Sequence, residues 1–591
     1  MNSSLTFVLV ATDNIFQIGD DFTKVVGRHN PKFGFQGIER RFYFPIQAQD
    51  KGFFNFSSVF TEGCAAGKPD CEAALRASGG DRGGNPFASY LLWASLNGLF
   101  QLNGGEYVGH KRYYGAYAQD SWRVNSKLTL NYGLRYDYWS PFLVPRHNLP
   151  YFNEVTGELR YVLQNPLDYL SSATDFGRDA PLTPGIPETG HTKPKLNFAP
   201  RIGVAYSITP GTVFRSGFGI YYNGNINNNQ FADISTGVGP FRLRYETIVS
   251  SGDQNPSLFV NGNFPLPGPT VIPTPNATPP YTFRFPQSHY PNETVLEWQA
   301  SIQQRLGLAW AIDVGYQGTH AYRLNQFLDI NAPELPQGAL ANVSLQQRRR
   351  FPQWGVLGTW APIGYGRYNA LTATVKNTSW KGLTLLSSFT FAKNIVSSYA
   401  GNSDIGNQHY KYPYIWAGPA QFTPRLRFVN SLSYDLPFGG NRLISGWRVS
   451  GIIDTTTGTP NRVTVPDNSG TGYGQMPNRI CDAREVPGGQ NRFQWFNTAC
   501  FQQTAFGVWG NSHHGVFEDP GIANVNLAIL KSFPIGIERV SLDLRADLFN
   551  ALNHTQWGAP NNSLTPGNVN YGRILSTRPP RQTQLSLTLR F

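Results

Sequence analysis

Residues 127–138 alternate without a break. Leu128, Leu130, Tyr132, Leu134, Tyr136 and Tyr138 fall on one side, and Thr129, Asn131, Gly133, Arg135 and Asp137 on the other. A period of two sustained over a dozen residues is a β-strand, because a helix would bring residues three and four apart onto one face. The pattern returns in 540–548, where Val540, Leu542, Leu544, Ala546 and Leu548 alternate with Ser541, Asp543, Arg545 and Asp547. In a soluble sheet such alternation separates core from water. In a membrane barrel it separates lipid from a polar lumen. A single strand does not choose between these readings.

The remaining segments do choose. Alternating or β-rich stretches recur at 113–124, 201–208, 213–222, 295–304, 309–316, 370–376, 383–391, 428–436, 447–455 and 524–533. Their lengths approach the roughly 9–11 residues of a tilted membrane strand. Asn125-Ser126 is a two-residue hairpin link, and Pro210-Gly211 another. Long Gly/Pro/Asn-rich connections at 251–280 and 467–510 alternate with these short ones. A soluble all-β chain of 591 residues would divide into several domains with linkers, and none is evident, nor any repeat of the kind a propeller needs. Charged residues make up 15%, against roughly 25% in soluble domains. Mean hydropathy is -0.33, and the longest apolar run, 7–11, falls far short of the ~18 residues of a membrane helix. The reading is all-β: one large antiparallel transmembrane β-barrel over residues 1–591, of about 18–22 strands, with long extracellular loops.

On a barrel the polar faces turn inward. Asn131, Arg135, Asp137, Asp543, Arg545 and Asp547 are therefore expected to face the lumen, since an Arg or Lys on the lipid side at the bilayer midplane costs ~2–4 kcal/mol. The chain ends on Leu585, Leu587, Leu589 and Phe591, alternating with Ser586, Thr588 and Arg590. A terminal alternating strand with a final Phe resembles the recognition strand that bacterial outer-membrane barrels offer to the barrel assembly machinery.

Other features constrain chemistry. Four cysteines lie in two local couples, Cys64/Cys71 and Cys481/Cys500. Three pairings are open to them, local pairing costs the least closure entropy, and neither couple has zinc-site spacing. Disulfides imply an oxidising compartment. The net charge of +12 is spread along the chain, which argues against nucleic acid as a partner. Its densest cluster, Arg348-Arg349-Arg350, reads as a solvated loop, while surface Arg and Lys on an outer-membrane barrel would meet lipopolysaccharide phosphates by Coulomb attraction. Ten histidines are dispersed; His513-His514 near Glu518 and Asp519 reads as a polar loop rather than a metal site. Tyr and Trp at strand ends read as interfacial girdles, and Tyr410, Tyr412, Tyr414 and Trp416 as loop aromatics able to stack on sugars or peptides. No nucleophile elbow, HExxH or phosphate loop occurs, so neither an enzyme nor a cofactor is expected.

Taken in order, several motifs resemble the β-barrel of TonB-dependent outer-membrane receptors, the Oar-like subgroup in particular. They are Gly27-Arg-His-Asn-Pro-Lys-Phe-Gly34, Asn85-Pro-Phe-Ala-Ser-Tyr-Leu-Leu92, Tyr117-Ala-Gln-Asp-Ser-Trp-Arg-Val124 running into Leu128-Thr-Leu-Asn-Tyr-Gly-Leu-Arg-Tyr-Asp137, and Pro200-Arg-Ile-Gly-Val-Ala-Tyr206. Later come Leu436-Pro-Phe-Gly439, Gly446-Trp-Arg-Val-Ser-Gly451 and Phe549-Asn-Ala-Leu-Asn-His554. The resemblance implies the outer membrane of a Gram-negative-type bacterium. It also implies a small solute (carbohydrate, peptide or chelate) bound at extracellular loops for energised uptake, with a plug domain and the TonB system as partners. The competing reading is a passive porin or surface adhesin without TonB coupling. Residues 1–19 hold no Lys or Arg, unlike a secretory signal, and no plug segment is visible. The expectation is a barrel wall taken from a longer receptor.

Overall fold

The computed structural model describes residues 12–44, 107–145, 147–166, 180–224, 280–397, 417–441, 443–466, 468–473, 475–535 and 540–591, with short stretches within 53–103, 242–276 and 414–415. Seventeen strands form one sheet, two of them the short pieces Phe283–Pro286 and Gly418–Pro419. The other fifteen follow one another in chain order as an antiparallel meander. They are β1 Thr12–Thr23, β2 His29–Phe44, β3 Tyr107–Arg123, β4 Leu128–Trp139 and β5 Phe198–Thr209. Next come β6 Thr212–Asn223, β7 Glu293–Leu306, β8 Trp310–Asp329, β9 Leu357–Trp380 and β10 Leu383–Val396. The last are β11 Leu426–Asp435, β12 Trp447–Thr456, β13 Ile522–Pro534, β14 Ser541–Phe549 and β15 Gln582–Arg590.

Register carries the alternation from strand to strand. Tyr132 pairs with Ile202, Ile202 with Phe218, Phe218 with Trp298, and Trp298 with Gly318. Paired residues share a face, so this row points one way across five strands. Gly318 leaves room for the indole: a Cβ there would lie 2.3 Å from Trp298 Cε2. The same face carries Leu134, Ile302, Val314, Tyr316, Leu371, Phe391, Leu544, Leu585, Leu587 and Leu589, all at least 38% exposed. Bare apolar side chains in such number would not survive in water, and they form the lipid-facing band. Trp310 and Trp380, with rings 5.9 Å apart, and Trp122 and Trp447 mark its edge near the short turns.

The two ends of the sheet differ. At one end neighbouring strands are joined by short links such as 124–127, 210–211, 307–309 and 381–382. Lys381 and Gly382 both have positive φ (49° and 82°), as a two-residue hairpin turn with the right twist requires. At the other end the links are long: 140–197, 224–292, 330–356, 457–521 and 550–581. Hydrophobic cores sit in these connections and in the strand ends that run into them. One gathers Phe142, Val144, Leu149, Val162 and Tyr290; a second Phe152, Phe283, Phe285, Phe351, Trp354 and Leu357; a third Val463, Phe496, Cys500, Phe501, Val516 and Phe517. Phe496 stacks on Phe517 at 4.2 Å.

Among the described residues the sheet holds seventeen strands, beside the 18–22 read from the sequence. Because fifteen long strands alternate in direction, β1 and β15 run the same way, and among the described residues no ladder joins them. An antiparallel ring needs an even number of strands.

The face assignment makes a direct prediction. Val314→Arg, in the outward band, should cost ~2–4 kcal/mol in denaturant unfolding from lipid vesicles. Gln317→Arg, on the opposite face of the same strand, should cost under ~1 kcal/mol. Equal losses would contradict the assignment.

Candidate functional site

The inward face is rich in polar and charged side chains, with apolar exceptions such as Leu386 and Ile452. Lys32 bonds Asp21 at 3.2 Å, and the Tyr117 hydroxyl also donates to Asp21. Arg135 Nε donates to Asp137 Oδ1 at 2.7 Å, its Nη2 reaches the Tyr113 hydroxyl, and its guanidinium lies 5.7 Å from the Tyr117 ring. Arg201 stacks 4.6 Å over Tyr221, and Arg215 donates to Gln303 at 2.7 Å. Lys32, Tyr117, Arg135, Arg201, Arg215 and Tyr221 line a cavity of about 840 Å3 together with Asn131, Gln299 and Gln317. On the other side of the sheet the inward charges are matched: Arg427 with Asp454, Arg448 with Asp435, Arg545 with Asp547, and Arg590 with Asp543.

Pairing places Asn131, Arg135 and Asp137 on the face opposite Tyr132 and Leu134, and Asp543, Arg545 and Asp547 opposite Leu542, Leu544 and Leu548. The two sets lie on well-separated strands and do not meet. Asp137 is buried, while the Arg545 side chain is 49% exposed to the lumen. Leu585, Leu587 and Leu589 occupy the outward face of β15, and Phe591 follows at 95% exposure. A disulfide joins Cys481 to Cys500 across 4.9 Å between Cα atoms, at the edge of the third loop core. Cys64 and Cys71 lie outside the described residues, as do Tyr410, Tyr412 and Trp416.

The loop layer above the lumen is a packed, polar-braced structure that the sequence did not disclose. Asp329, 1% exposed, is its hub: Oδ1 accepts from the Leu357 and Asn331 amides at 2.8 Å each, and Oδ2 takes Arg349 at 3.2 Å and the Tyr473 hydroxyl. Arg348 reaches the carbonyls of Glu334 and Gly470, tying two long connections together. Arg348 and Arg349 are thus buried struts, which corrects the solvated-loop reading of the arginine run. A guanidinium can satisfy its fork on backbone carbonyls, and that use leaves no trace in residue spacing. Elsewhere Lys193 donates to the Gly224 carbonyl at 3.0 Å and to Asn292 Oδ1 at 3.2 Å. Burial pushes its ammonium down to about 8, with Glu293 opposing the shift. Lys111 donates to the same carbonyl. His514 is fully buried beside the third core, and His513 Nδ1 lies 2.6 Å from the His514 carbonyl oxygen. The excess of Phe and Trp in these loops over what solvated loops carry was the available signal.

Residues 3–584 match the family described as outer membrane beta barrel domain. The chain belongs to that family. The barrel is an outer-membrane protein of Gram-negative type. Comparison with curated proteins found no match. Among solved structures, the barrel is similar to the outer membrane transporter YddB from Escherichia coli, with 11% identity and a TM-score of 0.49, covering 99% of this chain and 55% of that one. It is also similar to the siderophore receptor PirA from Acinetobacter baumannii, with 9% identity, a TM-score of 0.45 and the same coverage. The ferric-catecholate import receptor Fiu from Escherichia coli K12 gives 10% identity and a TM-score of 0.42, covering 98% of this chain and 55% of that one. The barrel therefore spans a little over half the length of these chains.

The loop layer carries a pH signature. Burial holds His191 and His514 at about 3, below the ordinary 6.5, so the unfolded loops bind protons that the folded ones refuse. Their contribution is full above 6.5 and is lost as pH falls toward 3. Limited proteolysis should cut the long loops faster near pH 4 than near pH 7, and His514→Asn should blunt the difference. Cutting independent of pH would contradict this.

Proposed function

We propose that the barrel is the wall of a TonB-coupled receptor that binds a small solute at its loop layer and admits it through the lumen. The observation that carries this reading is the loop layer itself. A passive pore gains from open loops, whereas here three hydrophobic cores, a disulfide and the Asp329–Arg349 strut hold the long connections in fixed positions. Fixed loops lower the ordering cost of binding, as a receptor needs. The motifs at 117–137, 200–206 and 549–554, collinear with those of TonB-dependent receptors, support the same class.

In the complete receptor a plug would meet inward groups such as Lys32, Arg135, Arg201 and Arg215 through charge-assisted hydrogen bonds. The solute class stays at carbohydrate, peptide or chelate.

The test compares cells that express the complete receptor gene with and without TonB. Labelled maltodextrins, oligopeptides and ferric chelates are supplied in turn. One class should accumulate, and its accumulation should stop when TonB is deleted. Entry of all three classes by size alone, unaffected by that deletion, would establish the porin reading instead.

A further inference from the structure

The lipid-facing surface of β7–β11 is mostly apolar, with isolated neutral polar residues such as Ser387 and Asn430, and it carries no acidic side chain. By pairing, its outward positions include Leu296, Trp298, Ile302, Val314, Tyr316, Leu371, Phe389, Phe391 and Phe428, and not one is Asp or Glu. Toward the long-loop end, cations appear on this face. Arg367 lies directly opposite His320, and Lys393 lies opposite Asn369, one step diagonal from Arg367. Diagonal neighbours on adjacent strands are about 7–8 Å apart, so one phosphorylated group can touch both.

Arg323 joins them by an unusual route. It is the extra residue where the register shifts between Tyr322 and Leu324, and its φ is 58°, in the left-handed region. A non-glycine residue there carries backbone strain. Its guanidinium lies 5.5 Å from the Tyr322 ring, and that of Arg367 lies 5.8 Å from Tyr365. Tyr365 packs on Tyr414 at 5.4 Å, which completes an aromatic shelf under the charges. All three cations are exposed, and among the described residues none has a carboxylate within ion-pair distance.

Their height is informative. From Trp310, at the short-turn edge, His320 is ten residues up β8, which at the usual strand tilt is about 25 Å, the height of the apolar band of such barrels. The cations therefore stand at the headgroup level of the leaflet on the long-loop side.

We propose that Arg323, Arg367 and Lys393 form a docking site for the phosphates of an outer-leaflet phosphoglycolipid. Its acyl chains lie on the apolar face of Val314, Leu371 and Phe391, and its sugar rings rest against Tyr322 and Tyr365. The proposal rests on the outer-membrane placement of the barrel and not on solute uptake, so either can fail without the other. Arg and Lys at a membrane surface are the residues that recognise clustered phosphates.

The test uses the full chain extracted in detergent, with native mass spectrometry and bis-phosphorylated lipid A as the probe. The triple variant R323Q/R367Q/K393Q should bind about tenfold more weakly than the parent. The variant K24Q/K127Q/K381Q, which removes the same charge at the short-turn end, should bind as the parent does. Heat-dependent gel mobility confirms that each variant is folded, and R367K in place of R367Q should restore part of the affinity. Unchanged binding by the triple variant, equal binding of dephosphorylated lipid A, an equal loss in the turn-end control, or displacement of lipid A by equimolar inorganic phosphate would each overturn the proposal.

Discussion

Hydrocarbon offers the backbone no hydrogen-bond partners, so every amide and carbonyl inside the membrane must be met by a neighbouring strand. That requirement keeps the ladder from β1 to β15 nearly unbroken. A continuous ladder in turn transmits side-chain direction. Once Tyr132 faces lipid, register obliges Ile202, Phe218 and Trp298 to do so, and obliges Gly133, Arg201 and Gly219 to face the lumen. The division into an apolar outside and a charged inside thus follows from backbone pairing combined with period-two patterning. The lumen chemistry is a consequence of the membrane constraint before it is a device for solutes.

Above the membrane the constraint lapses and ordinary globular physics returns. The long connections bury Phe285, Leu149, Phe496 and Val463 almost completely and brace themselves with buried polar groups. Asp329 is the clearest case: its two oxygens satisfy two backbone amides, a guanidinium and a phenol. Removing such a hub would strand several buried donors, which is costlier than losing any one bond. β8 and β9 link the two regimes, since each continues beyond the lipid band into this layer.

The strands were legible where one face had to be apolar. Residues 128–138 and 541–548 read correctly to within a residue, because lipid on one side and lumen on the other write alternation into the sequence. The upper halves of β8 and β9 were not legible: the patterns at 309–316 and 370–376 are the membrane portions of strands that span Trp310–Asp329 and Leu357–Trp380. Past the lipid both faces meet protein or water, and period two loses its contrast. The same alternation put Arg135, Asp137, Asp543, Arg545 and Asp547 on the face opposite Leu134 and Leu544, and strand pairing keeps each set together on one face. The loop layer did not follow, because its key contacts join Asp329 to Tyr473 and Arg348 to Gly470, more than a hundred residues apart, with no spacing that announces them.

The division between lipid face and lumen depends on which way alternate residues point, and spin-label accessibility measures that directly. Labels placed one at a time along β8 from Ala311 to Thr319, in the full chain reconstituted in lipid vesicles, can be challenged with oxygen, which concentrates in hydrocarbon, and with a water-soluble nickel chelate. Positions 312, 314 and 316 should be relaxed mainly by oxygen, and 311, 313, 315 and 317 mainly by the chelate, with a period of two. A uniform response along the strand, or the opposite phase, would contradict the account.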